Sequence, residues 1–454
     1  MADYKFKKGF DINISGKAEL KLVTLDDPKK AAVQPAEFLG LKPKMEVNEG
    51  DIVKIGTPLF SDKFNESIKF TSPVSGKVAE INRGERRRLM EIVIENDMKN
   101  DAVKFKTVQP DGLARLSREE IIENMLKSGV WPAIRTRPFN KIANPAEAPR
   151  DIFISGMDTA PLAADLDFIM QGLDNEFQMG IDVLAKLTEG KIYLGINGKS
   201  SNETSVFRKA QNVEKNTFSG PHPAGNIGVQ IHHIKPIKSG EKVWYVQPYA
   251  VALIGKLFLS GQYPAERIVA TAGNALNERQ YYKITQGTPV ASLVTEGNIN
   301  HPEPRIISGN VLTGRKISIH SYTSYYDNLI TVIPEGPKER KFIGWYRSGL
   351  KMRSFNRSFA STWFGPKEYD VNTLMNGGTR AFIMTGDYEK VLPMDIYPVY
   401  LIKSILAEDI TEMEGLGILE VDEEDMALCS YICPSKYDFG GIVRKGLDLI
   451  EKEG

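Results

Sequence analysis

Val47-Asn-Glu-Gly-Asp-Ile-Val-Lys-Ile-Gly-Thr-Pro-Leu-Phe60 and Phe70-Thr-Ser-Pro-Val-Ser-Gly-Lys-Val-Ala-Glu-Ile81 decide how the first quarter of this chain folds. Each stretch alternates apolar and polar residues at period two, the signature of strands with one buried face. Gly50-Asp51 and Ser75-Gly76 place turn chemistry at matching points of the two stretches. Two similar halves, each with its own turn, are expected to face one another as two layers.

Two such layers predict a barrel-sandwich hybrid, the architecture of biotinyl and lipoyl carrier domains. A carrier needs an exposed lysine at a hairpin tip between short residues. The link Ser61-Asp-Lys-Phe-Asn-Glu-Ser-Ile-Lys69 has lysines but no Met-Lys-Met or Asp-Lys-Ala tip. The hybrid is therefore expected as a scaffold, without a swinging arm.

Working outward, the pattern changes at Ser117-Arg-Glu-Glu120, a capping box that opens an amphipathic helix stopped by Gly129. Strand candidates at Asp151–Ile154 and Lys191–Ile196 alternate with helical spacing over 161–187 and from Ser205. That alternation predicts a largely parallel α/β layer. Beyond it, Arg267–Ala272 and the pair around Arg305–Arg315 read as strands of a small β module. The last part is helical, with Pro398–Leu406 as one helix and Asp422-Glu-Glu-Asp425 starting another. The expected α+β / α/β multi-domain layout is a hybrid over 1–105 and a Rossmann-like α/β domain over 106–258. A β-grasp, SLBB-like module over 259–333, a basic-aromatic connector over 334–389 and a helical domain over 390–454 complete it.

Bulk composition narrows the function. The 454 residues carry 58 Lys plus Arg against 58 Asp plus Glu, so there is no basic footprint for nucleic acid. The amino terminus lacks an apolar signal segment, and Val243 to Leu259 is too short and too polar to span a bilayer. Two cysteines build no disulfide framework and fit a reducing compartment. A cytoplasmic multi-domain protein is the reading.

Three constellations stand out. The loop Phe218-Ser-Gly-Pro-His-Pro-Ala-Gly-Asn-Ile-Gly228, with Gly220, Gly225 and Gly228, precedes Ile231-His-His233 and is read as a loop running into a strand. It is neither a dinucleotide fingerprint nor a P-loop. It holds three of the five histidines, His222, His232 and His233, without metal-ligand spacing. It is read as shaping a pocket or a subunit contact. Between Glu335 and Ser358 lie Lys338, Arg340, Lys341, Arg347, Lys351, Arg353 and Arg357, interleaved with Phe342, Trp345, Tyr346 and Phe355. That composition suits an anionic partner or a membrane interface. Finally, Cys429-Ser-Tyr-Ile-Cys433-Pro434 matches the end of a bacterial ferredoxin run. The two earlier ligands would fall at Glu423 and Met426, neither a thiolate, so no metal cluster is expected from this chain alone.

The stretches Lys5–Gly16, Phe70–Val78, Ser219–Gly225, Arg305–Gly314 and Leu428–Pro434 together resemble the NqrA family, one subunit type of the Na⁺-translocating NADH:quinone oxidoreductase. The resemblance spans nearly the whole chain. It implies a peripheral subunit on the cytoplasmic face of the bacterial inner membrane, without a transmembrane segment. Such a subunit works beside NqrB to NqrF in a complex that uses NADH, FAD, FMN, riboflavin, iron–sulfur clusters and quinone. The resemblance implies that these redox groups sit on the other subunits. It also implies a likeness to the RnfC subunit of the Rnf complex, with the cluster and flavin sites lost. A flavin or iron–sulfur reductase of that Rnf type is the rival reading. The resemblance further implies a possible quinone site, with His222, His232 or His233 as candidate donors. Docking on NqrB is assigned to the segment bearing Trp345, Arg347, Lys351 and Arg353.

Overall fold

The computed structural model describes residues 1–336 and 352–453. The two stretches quoted first form the expected sandwich. One layer is the antiparallel sheet of Lys30–Val33, Leu89–Asn96, Gly76–Arg83 and Ile52–Val53; the other joins Pro43–Met45, Pro58–Asp62 and Lys69–Thr71. Their inner faces bury Val53, Leu59, Phe60, Phe70, Val78 and Ile94, with the rings of Phe60 and Phe70 stacked 4.5 Å apart. Gly76 has φ +147°, and a Cβ there would lie 1.9 Å from the Glu95 carbonyl oxygen, so only glycine fits this ladder start. Arg86 to Arg88 lie at the hairpin turn between the two long strands.

The first 24 residues, within the stretch assigned to the hybrid, hydrogen-bond elsewhere. Asp3–Lys5 runs parallel to Glu214–Ser219, and Leu22–Thr24 runs parallel to Tyr281–Thr285. The chain start thus stitches together two later sheets.

The α/β layer is built on β1 (Ile152–Gly156), β2 (Ile192–Asn197), β3 (Glu214–Ser219) and β4 (Val243–Val246). These are continuous apolar runs because both faces of the sheet are covered. The spatial order is Asp3–Lys5, β3, β2, β1, β4, Ile134–Arg137, Lys141–Ile142. The first five strands are parallel and the last two antiparallel. Order 3-2-1-4 is that of a dinucleotide-binding half, with a topological switch between β1 and β4. Helices α1 (Arg118–Ser128), α2 (Asp174–Ala185), α3 (Ile227–Ile234) and α4 (Pro248–Ser260) surround it. α1 begins at the capping box of Ser117 and Glu120 and ends at Gly129 with φ +81°.

The β module pairs Arg315–Ile317, Pro304–Ser308, Leu329–Pro334, Glu266–Ala272 and Tyr281–Thr285. The C-terminal domain packs the helix Pro398–Leu406 against α5 (Glu423–Ile432) and α6 (Phe439–Glu453) over a core that includes Ile12, Ile14, Cys429 and Cys433. No helix among the described residues is long and apolar enough to cross a membrane.

Candidate functional site

β1 and β4 pair only through Ile152–Trp244 and Phe153–Tyr245, whereas β1 and β2 pair over five residues. Beyond that point β1 and β4 part, and a cleft opens at their carboxyl ends. Its inner lobe, a cavity of about 190 Å³, is lined from β1 by Ser155, Met157 and Asp158 and from β4 by Gln247 and Tyr249. The β module adds Tyr325, Tyr326 and Asn328, and α5 adds Glu424. An outer lobe of about 650 Å³ shares Arg135, Asp158, Asn328 and Glu424 and reaches Glu37 of the hybrid. Four domains therefore meet at one crevice, in the place where open α/β sheets bind ligands.

Arg135 is its organising side chain. The guanidinium lies over the Tyr245 ring at 4.8 Å and the Tyr326 ring at 4.6 Å. Both tyrosines are fixed: Tyr245 donates to Asn140, and Tyr326 donates to the Pro132 carbonyl at 2.7 Å. Arg135 has no carboxylate partner among the described residues, so its N–H edges are available to the cleft. Arg137, two residues along the same strand, has the opposite fate. It is 2% exposed and meets Glu424 at 2.6 Å, Asp425 at 3.3 Å and Asp422 at 3.4 Å. Arg444 of α6 takes the other oxygen of Asp422 at 2.7 Å.

The carboxyls at the cleft are hard to ionise. Burial pushes Glu424 up to about 7; Arg137 lowers it, while Asp425 and Asp422 raise it. About a third of its side chain is exposed, yet the surrounding protein outweighs that contact with water. Burial also takes Glu37 to about 7 against the pull of Arg315, and raises Asp158. Glu424 and Glu37 can therefore hold protons near neutrality.

The glycine-rich loop joins β3 to α3. His222 lines the cleft but is buried, and burial lowers it to about 4. Its ring lies 3.2 Å from Thr159 Oγ1, and its backbone N–H donates to Asp11 at 2.8 Å. Gly225 donates its N–H to Thr159 Oγ1 at 2.9 Å. Gly220, with φ +151°, packs on the Phe6 backbone. Gly228 is required by close approach: a Cβ there would sit 2.1 Å from an Asp425 carboxylate oxygen. The Asp425 carboxylate of α5 thus packs beside the start of α3, where the Asn226 side-chain amide donates to it at 3.3 Å.

His232 and His233 were expected on a strand and lie on α3 instead. Ile227, Ile231 and Ile234 have helical spacing and turn one apolar stripe into a small core. Both histidines fasten that helix to the C-terminal domain. His232 Nδ1 meets Glu420 at 2.7 Å, its Nε2 accepts the Asp395 N–H at 3.0 Å, and His233 Nε2 donates to the Pro393 carbonyl at 2.6 Å. Neither lines the cleft.

Cys429 and Cys433 are buried and free, and burial raises the Cys429 thiol. Cys433 Sγ lies 3.2 Å from the Tyr388 hydroxyl. Met426 is buried beside them. No group of three or more metal-ligating side chains converges among the described residues. Arg353 stacks over the Phe10 ring at 4.3 Å. Trp345, Arg347 and Lys351 lie outside the described residues.

The comparisons with known proteins agree with this architecture. Family models described as NqrA N-terminal barrel-sandwich hybrid domain, NqrA second alpha/beta domain and NQRA C-terminal domain match residues 4–97, 116–263 and 268–318. Among curated relatives, the A-type subunit of the Na(+)-translocating NADH-quinone reductase of Neisseria meningitidis serogroup B is 40% identical over 99% of this chain and 100% of that one. The chain belongs to that family. The corresponding proteins of Saccharophagus degradans and Yersinia pseudotuberculosis are 39% and 40% identical, again over 99% of this chain and the whole of theirs. It is a subunit of the sodium-translocating NADH-quinone reductase.

Proposed function

We propose that this subunit sits peripherally on the cytoplasmic face of the complex, docks on NqrB, and holds no redox cofactor of its own. In this reading the switch-point cleft receives the quinone head group. The observation that carries the reading is Arg135, clamped between two tyrosine rings with its N–H edges free in an aromatic-walled cavity. A quinone site needs an apolar slot with a few donors aimed at its carbonyl oxygens. Arg135 offers such a donor where negative charge builds on the ring oxygen during reduction. Glu424, and Glu37 in the outer lobe, hold protons near neutral pH and suit their delivery. The electrons come from the rest of the complex.

Two features support the cofactor-free reading. The loop after β1, Met157-Asp-Thr-Ala-Pro-Leu162, has no glycine to let a pyrophosphate approach the backbone. The Asp425 carboxylate crowds the amino end of α3, where an anion would otherwise approach.

The test is Arg135→Met in the assembled complex. The KM for a short-chain quinone should rise at least tenfold, about 1.4 kcal/mol, while NADH oxidation with a soluble artificial acceptor stays at the wild-type rate. Unchanged quinone kinetics would place the quinone elsewhere in the complex.

A further inference from the structure

Residues 352–387 contain one turn of helix, Ser361–Phe364, yet the segment is pinned at two points. The Tyr369 N–H donates to the Asn13 carbonyl at 2.9 Å, and the Ser15 N–H to the Tyr369 carbonyl at 3.1 Å. Further on, the Arg380 N–H donates to the Ser435 carbonyl at 3.2 Å, the Ser435 hydroxyl donates to the Ala381 carbonyl at 2.8 Å, and Phe382 packs on Tyr437 and Phe439. A segment so anchored would be expected to turn its apolar side chains inward. Instead Trp363 and Phe364 are 70% and 83% exposed, and Ile383 and Met384 are 51% and 56% exposed.

Both exposed pairs are carried by stretches tethered near the carboxyl end of α5. Arg353 lies over the rings of Tyr369 and Phe10, and Phe10 stacks on Tyr431 near the end of α5. The turn after α5 holds 380–382. Charge in this segment is unbalanced as well. Arg357, Lys367 and Arg380 form no ion pair among the described residues, and Arg353, which has Asp11 for a neighbouring charge, keeps its Nη1 buried without a hydrogen bond. Exposed aromatic anchors in a stretch that also carries unpaired cations have the composition of a protein interface before its partner arrives. Glu368 and Asp370 interleave with the cations. That alternation suits a patterned polypeptide better than a uniformly anionic lipid surface.

We propose that this segment, centred on Trp363 and Phe364, is the docking surface for an acidic, apolar polypeptide segment of another member of the complex. The inference rests on the reading that the chain works as an assembled subunit. It moves the main contact from the basic run itself to the apolar surface that follows it.

The experiment uses tagged full-length chain expressed with its complex, extracted in mild detergent and weighed against the flavin-bearing subunits. The wild type should co-purify stoichiometrically. Trp363→Asp with Phe364→Asp should abolish co-purification, since each aromatic anchor is worth about thirtyfold or more in affinity. Arg357→Glu with Lys367→Glu should weaken it in a salt-dependent way. Circular dichroism and thermal melting of each purified variant should match wild type, because all four side chains lie outside the core. Full retention of the Trp363/Phe364 variant would overturn the docking surface and leave the assembly reading intact. A wild-type chain that never co-purifies would overturn that reading first. Binding of the isolated wild-type chain to phosphatidylglycerol vesicles, lost with Trp363→Asp, would overturn the polypeptide partner in favour of lipid.

Discussion

Replacing Arg137 with methionine should loosen the C-terminal domain, and do so more at alkaline pH. Arg137 is the shared counter-charge of Asp422, Glu424 and Asp425, and only Asp422 has a second arginine, Arg444. Removing one partner of a buried ion pair costs about 3–5 kcal/mol because the other charge stays buried and unpaired. Here the remaining carboxyls can take up protons instead. Burial raises both Glu424 and Asp425, Arg137 lowers both, and its loss moves both further up. A carboxyl whose folded pKa lies above its unfolded value contributes stability below the unfolded pKa and loses it as pH rises through the folded one. The variant should therefore approach wild type near pH 5 and show the full loss near pH 8.5. Hydrogen exchange over 423–453 reads the opening of α5 and α6 directly. Adding Glu424→Gln should recover about 1–2 kcal/mol at pH 8.5, since one buried charge is removed. A loss below about 1 kcal/mol at pH 8.5, or one independent of pH, would refute the claim that Arg137 holds the domains together by charge.

His222→Asn should flatten the acid side of the stability profile. The histidine is taken from its usual 6.5 to about 4, so the folded state refuses a proton that the unfolded chain accepts. Stability is therefore lost as pH falls from 6.5 to 4, by about 3 kcal/mol at most; an identical slope in the variant would disprove this. Gly228→Ala should cost about 1–3 kcal/mol by driving the new methyl into the Asp425 carboxylate. Combined with Asp425→Ala the loss should be clearly less than additive in urea unfolding.

The fold was legible wherever the signal is local. The split halves of the sandwich, the Ser117 capping box and the buried runs Lys191–Ile196 and Arg267–Ala272 each carry their period or cap within a dozen residues. Asp3–Lys5 and Leu22–Thr24 are three residues each, too short for a period, and the sheets they join lie more than 200 residues away. The cleft was largely illegible for the same reason. Arg135, Tyr245, Tyr326 and Glu424 come from four separate stretches, and nothing in any one of them names the others. One signal was available: Ile134-Arg-Thr-Arg137 puts two arginines on one face of a strand. The strand reading of Ile231-His-His233 gives way to a helix whose apolar stripe is Ile227, Ile231 and Ile234. In the structure His232 and His233 are fasteners whose ring nitrogens are taken up by Glu420, Asp395 and Pro393.

Those two arginines show how one strand of a dinucleotide-type layout can divide its charge between two tasks. The fold concentrates positive potential at the carboxyl ends of its strands and the amino ends of its helices. In this chain α5 supplies the anions: Asp425 seats on Gly228 at the start of α3, and Arg137 neutralises it together with Asp422 and Glu424. These contacts join the α/β layer to the C-terminal domain. Arg135 shares its strand face and the same Tyr245 ring, but no carboxylate among the described residues pairs with it. The sheet thus divides its binding potential between a permanent internal ligand and an open one, and the open one faces the cavity at the switch point. If that division is right, Arg135→Met and Arg137→Met must separate cleanly: the first changes quinone kinetics with the domains still locked, and the second unlocks the domains.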